Sequence, residues 1–213
     1  MTAAVPARSL REDAADTLRR AIVTGEVLPG QKLREVALAR DLGISRPTLR
    51  EALQRLVNEG LIVQEHHRGF SVATLDDAAV RDLAATRVLL DRAAVHGIWE
   101  DPTRLESVTA AWEEYAAHDT DDALDRHQAH LRLHQALWEA SDNTVLLRLW
   151  PVTEALSTLA LAQDQAVRRD PVRARDVHSE LIDAVLSQDP ERLEEALARH
   201  TRQSAEEFLA LRG

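Results

Sequence analysis

Five histidines in the later part of the chain have spacings that suit a metal site. His127, His130 and His134 lie in one helical stretch, the last two at i and i+4, so their rings leave the same face. His178 and His200 sit about ten residues before and after a turn at 187–190. At ~1.5 Å per residue both are roughly 15 Å from that turn, level with each other if two helices run antiparallel. Imidazoles converging from facing helices can build a site in a bundle core, and four of them favour Zn, Ni or Cu over the oxygen-seeking Mg or Ca. Taken one at a time, the same histidines read as hydrogen-bonded or surface side chains. An octahedral ion with four protein ligands keeps two positions for the carboxylate of a small organic acid, whereas tetrahedral Zn with four imidazoles is closed. Arg87 could pair with such an acid, or with Asp91 at i+4. A second chemistry belongs to Arg46 and Arg50, one helical turn apart: each guanidinium is a planar fork of donors that matches guanine O6/N7 or a phosphate.

The elements that must position these groups follow from punctuation and periodicity. In GISRPTLREALQRLVNEG, residues 43–60, Ser45 is a good N-cap and Pro47 falls in the first turn, where its missing amide hydrogen loses nothing. Leu49, Ala52, Leu53, Leu56 and Val57 make the apolar face, leaving Arg46, Thr48, Arg50 and Gln54 on the other. A short helix over 34–41 precedes it across Leu42, Gly43 and Ile44, the pattern of a helix-turn-helix whose second helix enters the DNA major groove. An ordinary helix with a solvated basic face is the plainer alternative. LIVQEHHRGFSVA then reads as two short strands, 61–65 and 70–73, around a tip at 66–69. An earlier helix spans 10–24, with Leu10, Ala14, Leu18, Ala21 and Ile22 on one stripe and Gly25 as its stop. VLPGQKL supplies a Pro-Gly turn.

The order helix, helix-turn-helix, wing, and the words SRPTLREAL, NEGLI and RGFSV, closely resemble the winged-helix domain of GntR-type bacterial transcription regulators over residues 10–74. The resemblance implies that Arg46, Thr48 and Arg50 contact DNA, with Ser45 at the helix start included in that set. It also implies that Arg68 and Gly69 at the wing tip approach the minor groove or backbone. Where some relatives carry an arginine on the preceding helix this chain has Val36, with Arg34 two residues earlier as the candidate contact.

After the wing, with Thr74 or Asp76 as cap, every stretch reads helical: about 77–99, 103–117, 121–141, 144–163, 171–187 and 190–211, with Pro151 inside the fourth. The expected architecture is mostly α: a winged helix-turn-helix over 1–75 and an all-α six-helix bundle over 76–213. LHQALWEASDN and VHSELIDAVLSQDPERLEEALARH resemble the sensor domain of the FadR branch of the GntR family, and six helices in place of seven resemble its VanR-type subgroup. Metal-binding sensors of that branch use Asp-x3-His and two later histidines. His134, His178 and His200 match the three histidines; His130 stands at the aspartate. This departure implies either an all-histidine site or a fourth ligand that is lost or supplied by His127. Trp99, Trp112, Trp138 and Trp150 read as core or pocket lining.

Composition sets the frame. The 213 residues are 45% hydrophobic and 29% charged, with no cysteine, which excludes a disulfide framework, thiolate metal sites and a cysteine nucleophile. The net charge of −10 divides into +2 for residues 1–75 and −12 for the rest, so the acidic part is expected to face away from a duplex. No stretch reads as a signal peptide or a membrane span, and the cytoplasm is the expected compartment. The expected function is a homodimeric repressor on a palindromic operator, not an enzyme, whose bundle senses a small organic acid at a divalent transition metal, with Zn first and Ni or Cu next. Two alternatives are a histidine-ligated metal hydrolase, for which no HExxH-type word supplies a base, and a DNA-binding protein whose bundle only dimerises.

Overall fold

The computed structural model describes residues 9–65, 69–163 and 171–210, and the chain divides into two compact units, Met1–Thr74 and Leu75–Gly213. The first unit begins with α1 (Leu10–Thr24), closed at its N-terminus by a reciprocal box between Ser9 and Glu12 and at its C-terminus by Gly25 in the left-handed conformation. Next come β1 (Lys32–Leu33), α2 (Glu35–Asp41), α3 (Arg46–Asn58), β2 (Ile62–Glu65) and β3 (Gly69–Val72). The Ser45 hydroxyl accepts from the Thr48 amide, and Pro47 sits in the first turn of α3, where it costs no hydrogen bond. Leu49, Ala52, Leu53 and Leu56 are buried, as the apolar spacing requires, and α3 packs on the buried Ala14, Ala15, Leu18 and Ile22 of α1. Gly43 turns α2 into α3 with φ +65°; a Cβ there would meet nothing, so backbone conformation and not space calls for glycine.

The sheet has strand order β1-β3-β2, both pairings antiparallel. Phe70 and Val72 point to the core while Ser71 and Gly69 alternate outward. The second and third strands occupy the arms expected of a wing. β1 is an addition: VLPGQKL makes the expected turn, and its last two residues then pair Lys32 with Ser71 and Leu33 with Phe70. Two residues are too short for a period-2 pattern, which is why the strand escapes sequence reading.

The second unit is helical throughout its described residues. Asp76 accepts from the Ala79 amide at 2.8 Å and starts α4 (Asp77–Trp99); α5 (Arg104–Ala117), α6 (Ala123–Ala140), α7 (Thr144–Gln163) and α8 (Pro171–Ser187) follow. Asp122 caps α6, which therefore begins at 123 and not 121. α7 continues through Pro151. The sixth expected helix is one rod in three parts: α9 (Pro190–Leu197), a π turn (Ala198–Gln203) and α10 (Ser204–Ala210). Its core joins Val88, Val95 and Ile98 of α4 to Leu133, Leu137 and Trp138 of α6, Trp150 of α7, Leu181 and Ile182 of α8, and Leu193 and Leu197 of α9. Trp138 and Trp150 are thus core residues, while Trp99 and Trp112 are partly buried and pack against that core. Among the described residues no helix is long and apolar enough to cross a membrane.

Candidate metal centre and nucleic-acid interface

The helical unit brings four of the five histidines together. His130 and His134 on α6, His178 on α8 and His200 in the π turn each offer a ring nitrogen within 4.8 Å of those of the others. The i, i+4 spacing accounts for the first pair, whose ring centroids are 4.7 Å apart. His178 and His200, level across the α8–α9 turn, have centroids 4.6 Å apart. His127 does not join: its Nε2 is 3.0 Å from Thr158 Oγ1 on α7.

Several nitrogens in this cluster lack a partner. His178 Nδ1 donates to the Ala174 carbonyl one turn back, which leaves Nε2 with a lone pair, buried and unpartnered. His134 Nδ1 and His200 Nδ1 are buried and unpartnered as well. His134 Nε2 and His200 Nε2 stand 3.2 Å apart. Two nitrogens bound to one ion at about 2.1 Å would be separated by about 3.0 Å at a right angle and about 3.4 Å at the tetrahedral angle. The donor set fits a divalent transition metal: converging imidazoles, orphaned lone pairs and one ring oriented by a backbone carbonyl.

Electrostatics favours the ligand form. Burial is the first cause lowering the pKa of all four rings; His178 is brought to about 4, against the opposing effect of its bond to Ala174. At neutral pH the four are neutral imidazoles, the protonation state that binds metal. The positive charge of Arg87 contributes to the lowering at every one of them. Arg87 itself is buried and makes the ion pair with Asp91, with Nε and Nη2 3.3 and 3.2 Å from Oδ2, while Nη1 donates to Ser157 Oγ at 2.8 Å. Asp91 is shared: Oδ1 accepts from Trp138 Nε1 at 2.7 Å.

Tyr115 on α5, whose ring centroid is 5.1 Å from that of His178, walls the cluster and was not among the expected site residues. Burial raises its pKa. It is the one tyrosine of the chain, but no spacing ties α5 to α8 and no sequence signal pointed to it.

The winged unit carries the other site. Ser45, Arg46 and Arg50 are exposed, and Thr48 is half-buried with its Oγ1 2.8 Å from Ser45 Oγ. Arg50 Nε lies 3.2 Å from Glu35 Oε2 at the start of α2, so the recognition helix and the helix before it share an ion pair. Arg34 is exposed immediately before α2 and Val36 is exposed on it. Gly69, with φ +84°, opens β3; Arg68 lies outside the described residues.

Comparison with known proteins agrees with both halves. The family model for bacterial regulatory proteins of the gntR family matches residues 10–72, and the model of the FCD domain matches residues 82–203. A Paraburkholderia xenovorans protein named "Uncharacterized HTH-type transcriptional regulator BphR" is 31% identical over 92% of this chain and 84% of its own length. A Paenarthrobacter nicotinovorans protein named "Probable D-xylose utilization operon transcriptional repressor" is 28% identical over 84% of this chain and 80% of its own. A crystal structure of a GntR transcriptional regulator from Rhodococcus sp. RHA1 superposes with TM-score 0.71 at 25% identity, covering 95% of this chain and 99% of that one.

Proposed function

Because this chain belongs to the GntR family of bacterial regulatory proteins and carries an FCD domain, and is therefore a DNA-binding transcriptional regulator, we propose that a small carboxylate bound at a transition-metal site in its helical unit controls its hold on an operator. We take it to act as a homodimeric repressor on a palindromic site. α3 reads the major groove through Arg46, Thr48 and Arg50 from a start fixed by Ser45, Arg34 reaches the backbone ahead of α2, and the wing tip at Arg68 and Gly69 approaches the minor groove.

One observation carries the metal part: the neutral imidazoles of His130, His134, His178 and His200 converge, and three of them, His134, His178 and His200, have a buried nitrogen with no protein partner. A buried polar atom left unsatisfied costs about 1–3 kcal/mol, and an ion bound by His178 Nε2 would satisfy that one. In this reading His130 is the fourth ligand in the aspartate position, and His127, held by Thr158, is not one. Zn is the first candidate, with Ni or Cu next; held in six-coordinate form, the ion would supply a Lewis-acidic centre for a carboxylate oxygen, which tetrahedral Zn with four imidazoles would not. Neutral ligands leave the ion's charge uncompensated, and Arg87 adds to it through space while its fork is engaged by Asp91 and Ser157; both attract an anion. The same set argues against a metal hydrolase: the described cluster is made of imidazoles alone, with no carboxylate to serve as base. Nor does a merely dimerising bundle need four histidines packed against one another.

Elemental analysis of the purified protein tests the site. The expected content is about one divalent transition metal per chain, falling sharply in His134→Ala and in His130→Ala, with operator binding retained and its response to small carboxylates lost. Equal metal content in all three proteins would reject the site; loss in His134→Ala alone would leave His130 a bystander.

A further inference from the structure

Val36 stands apart from the other apolar side chains of the winged unit. At 67% it is more open to solvent than any other exposed large hydrophobic side chain among the described residues, yet it does not lie on the back of its helix. Ala39, three residues on and so on the same side of α2, is 4% exposed. Packing covers this side of α2 at Ala39 and stops short of the first turn. The residue before Val36 is Glu35, whose Oε2 stands 3.2 Å from Arg50 Nε on α3. Adjacent Cα atoms are about 3.8 Å apart, so Val36 flanks Arg50, one of the residues assigned above to the major groove. At the ~3.4 Å spacing of base pairs the two side chains fall within a few steps of each other.

A valine can read only one feature of a major groove. It has no donor or acceptor for a phosphate or for the polar edges of guanine, cytosine and adenine, whereas thymine presents a C5-methyl group there. Setting an aliphatic side chain against a polar edge would strip water from that edge without replacing the hydrogen bond. The contact therefore selects twice, by burying a methyl group on thymine and by penalising the other bases. β-Branching holds Val36 near one χ1 rotamer in a helix, so little side-chain freedom is lost on docking.

We propose that Val36 is a specificity-determining residue that packs on a thymine methyl group in the operator half-site, close to the position reached by Arg50. The proposal rests on the reading of α3 as the recognition helix and adds a base contact from α2. It gives α2 a share in sequence choice, while Arg34, just ahead of the helix, serves the backbone. The Glu35–Arg50 pair links the apolar reader on one helix to the charged reader on the next.

The test uses the full chain and the duplexes that it selects from a random-sequence pool. Each thymine of the selected site is replaced in turn by deoxyuridine, which removes only the C5-methyl group. Fluorescence anisotropy at fixed salt should show one thymine per half-site whose replacement lowers affinity about fourfold, the factor for burying one methyl group. Val36→Ala should bind the thymine duplex about fourfold or more weakly than wild type and be indifferent to the loss of that methyl. Its helicity should be unchanged, because the side chain is exposed. Binding to unrelated DNA should be the same for both proteins, since that depends on phosphate contacts. A methyl effect equal in wild type and Val36→Ala would overturn the Val36 contact alone. So would the lack of any methyl effect while Arg46→Ala and Arg50→Ala lose specific binding. Wild-type operator affinity in both arginine variants would overturn the reading of α3 and this contact with it.

Discussion

Arg50 has two potential partners of opposite kind, a carboxylate within the protein and the edge of a base or a phosphate outside it. Glu35 Oε2 stands 3.2 Å from its Nε as an ion pair, and the Arg50 side chain is otherwise more than half exposed. Arg50→Ala or Arg46→Ala should lower specific operator affinity by about 1–3 kcal/mol if the arginine forks onto a guanine, and a phosphate contact would instead weaken all sequences alike. Fluorescence anisotropy at matched salt on operator and scrambled DNA separates the two. Folding stability should hardly move in the Arg50 variant, since a pair exposed at 56% and 17% is worth about 0–1 kcal/mol. In the buried interior the balance reverses. Asp91→Ala would leave Arg87 charged and Trp138 Nε1 unpartnered, at a cost of about 3–5 kcal/mol in urea unfolding. The Arg87–Asp91 pair was legible as an i, i+4 spacing. That it would be sealed in the core and shared with Trp138, 47 residues on, was not, because sequence spacing says nothing of contacts between helices.

Helix starts were the most legible elements, since each is announced by a side chain that satisfies backbone amides left over by the helix itself. Ser45 and Asp76 do so as the sequence led one to expect; Asp122 and Asp189 do so too, though the first moves its helix start from 121 to 123 and the second, before Pro190, reads in sequence only as a break. Ser45→Ala should therefore lower the stability of the protein by about 1 kcal/mol, read from the urea midpoint of the winged unit. It should also weaken DNA binding by loosening the turn that carries Arg46 and Thr48. The four-histidine site was foreshadowed by i, i+4 spacing and by the level placement of His178 and His200. Nothing announced the π turn that carries His200. A π turn needs no glycine, proline or capping residue, so ARHTRQ looks like any other helical word.

Over the whole molecule, the metal-free histidine cluster sets a pH dependence. Each ring has a lowered pKa when folded and an ordinary one, about 6.5, when unfolded. Below about pH 6.5 the unfolded chain binds more protons than the folded one, so stability rises with pH. The stabilisation is complete above that point and is lost as pH falls toward the folded values, about 4 for His178. Denaturation of chelator-treated protein between pH 7 and 5 should show a fall in midpoint, made shallower in the His130→Ala variant. On DNA, two winged units should protect half-sites whose centres lie about 34 Å apart, and a footprint over one unpaired half-site would contradict that symmetry. The division into a winged unit and a helical one was readable from the change from strand-and-turn words to unbroken helical periodicity; which face of each long helix stays open was not, since only burial shows it. The π turn has a consequence on this scale. A residue of extra length shifts angular phase by about 100°, so the part of the rod that aims His200 inward need not agree in phase with the part that carries Glu206 to Arg81 in the first turn of α4. Straightening the turn to α-helical hydrogen bonding would change the phase between His200 and Glu206 by about 100°, so the position of His200 and the Arg81–Glu206 pair are set together by this one turn.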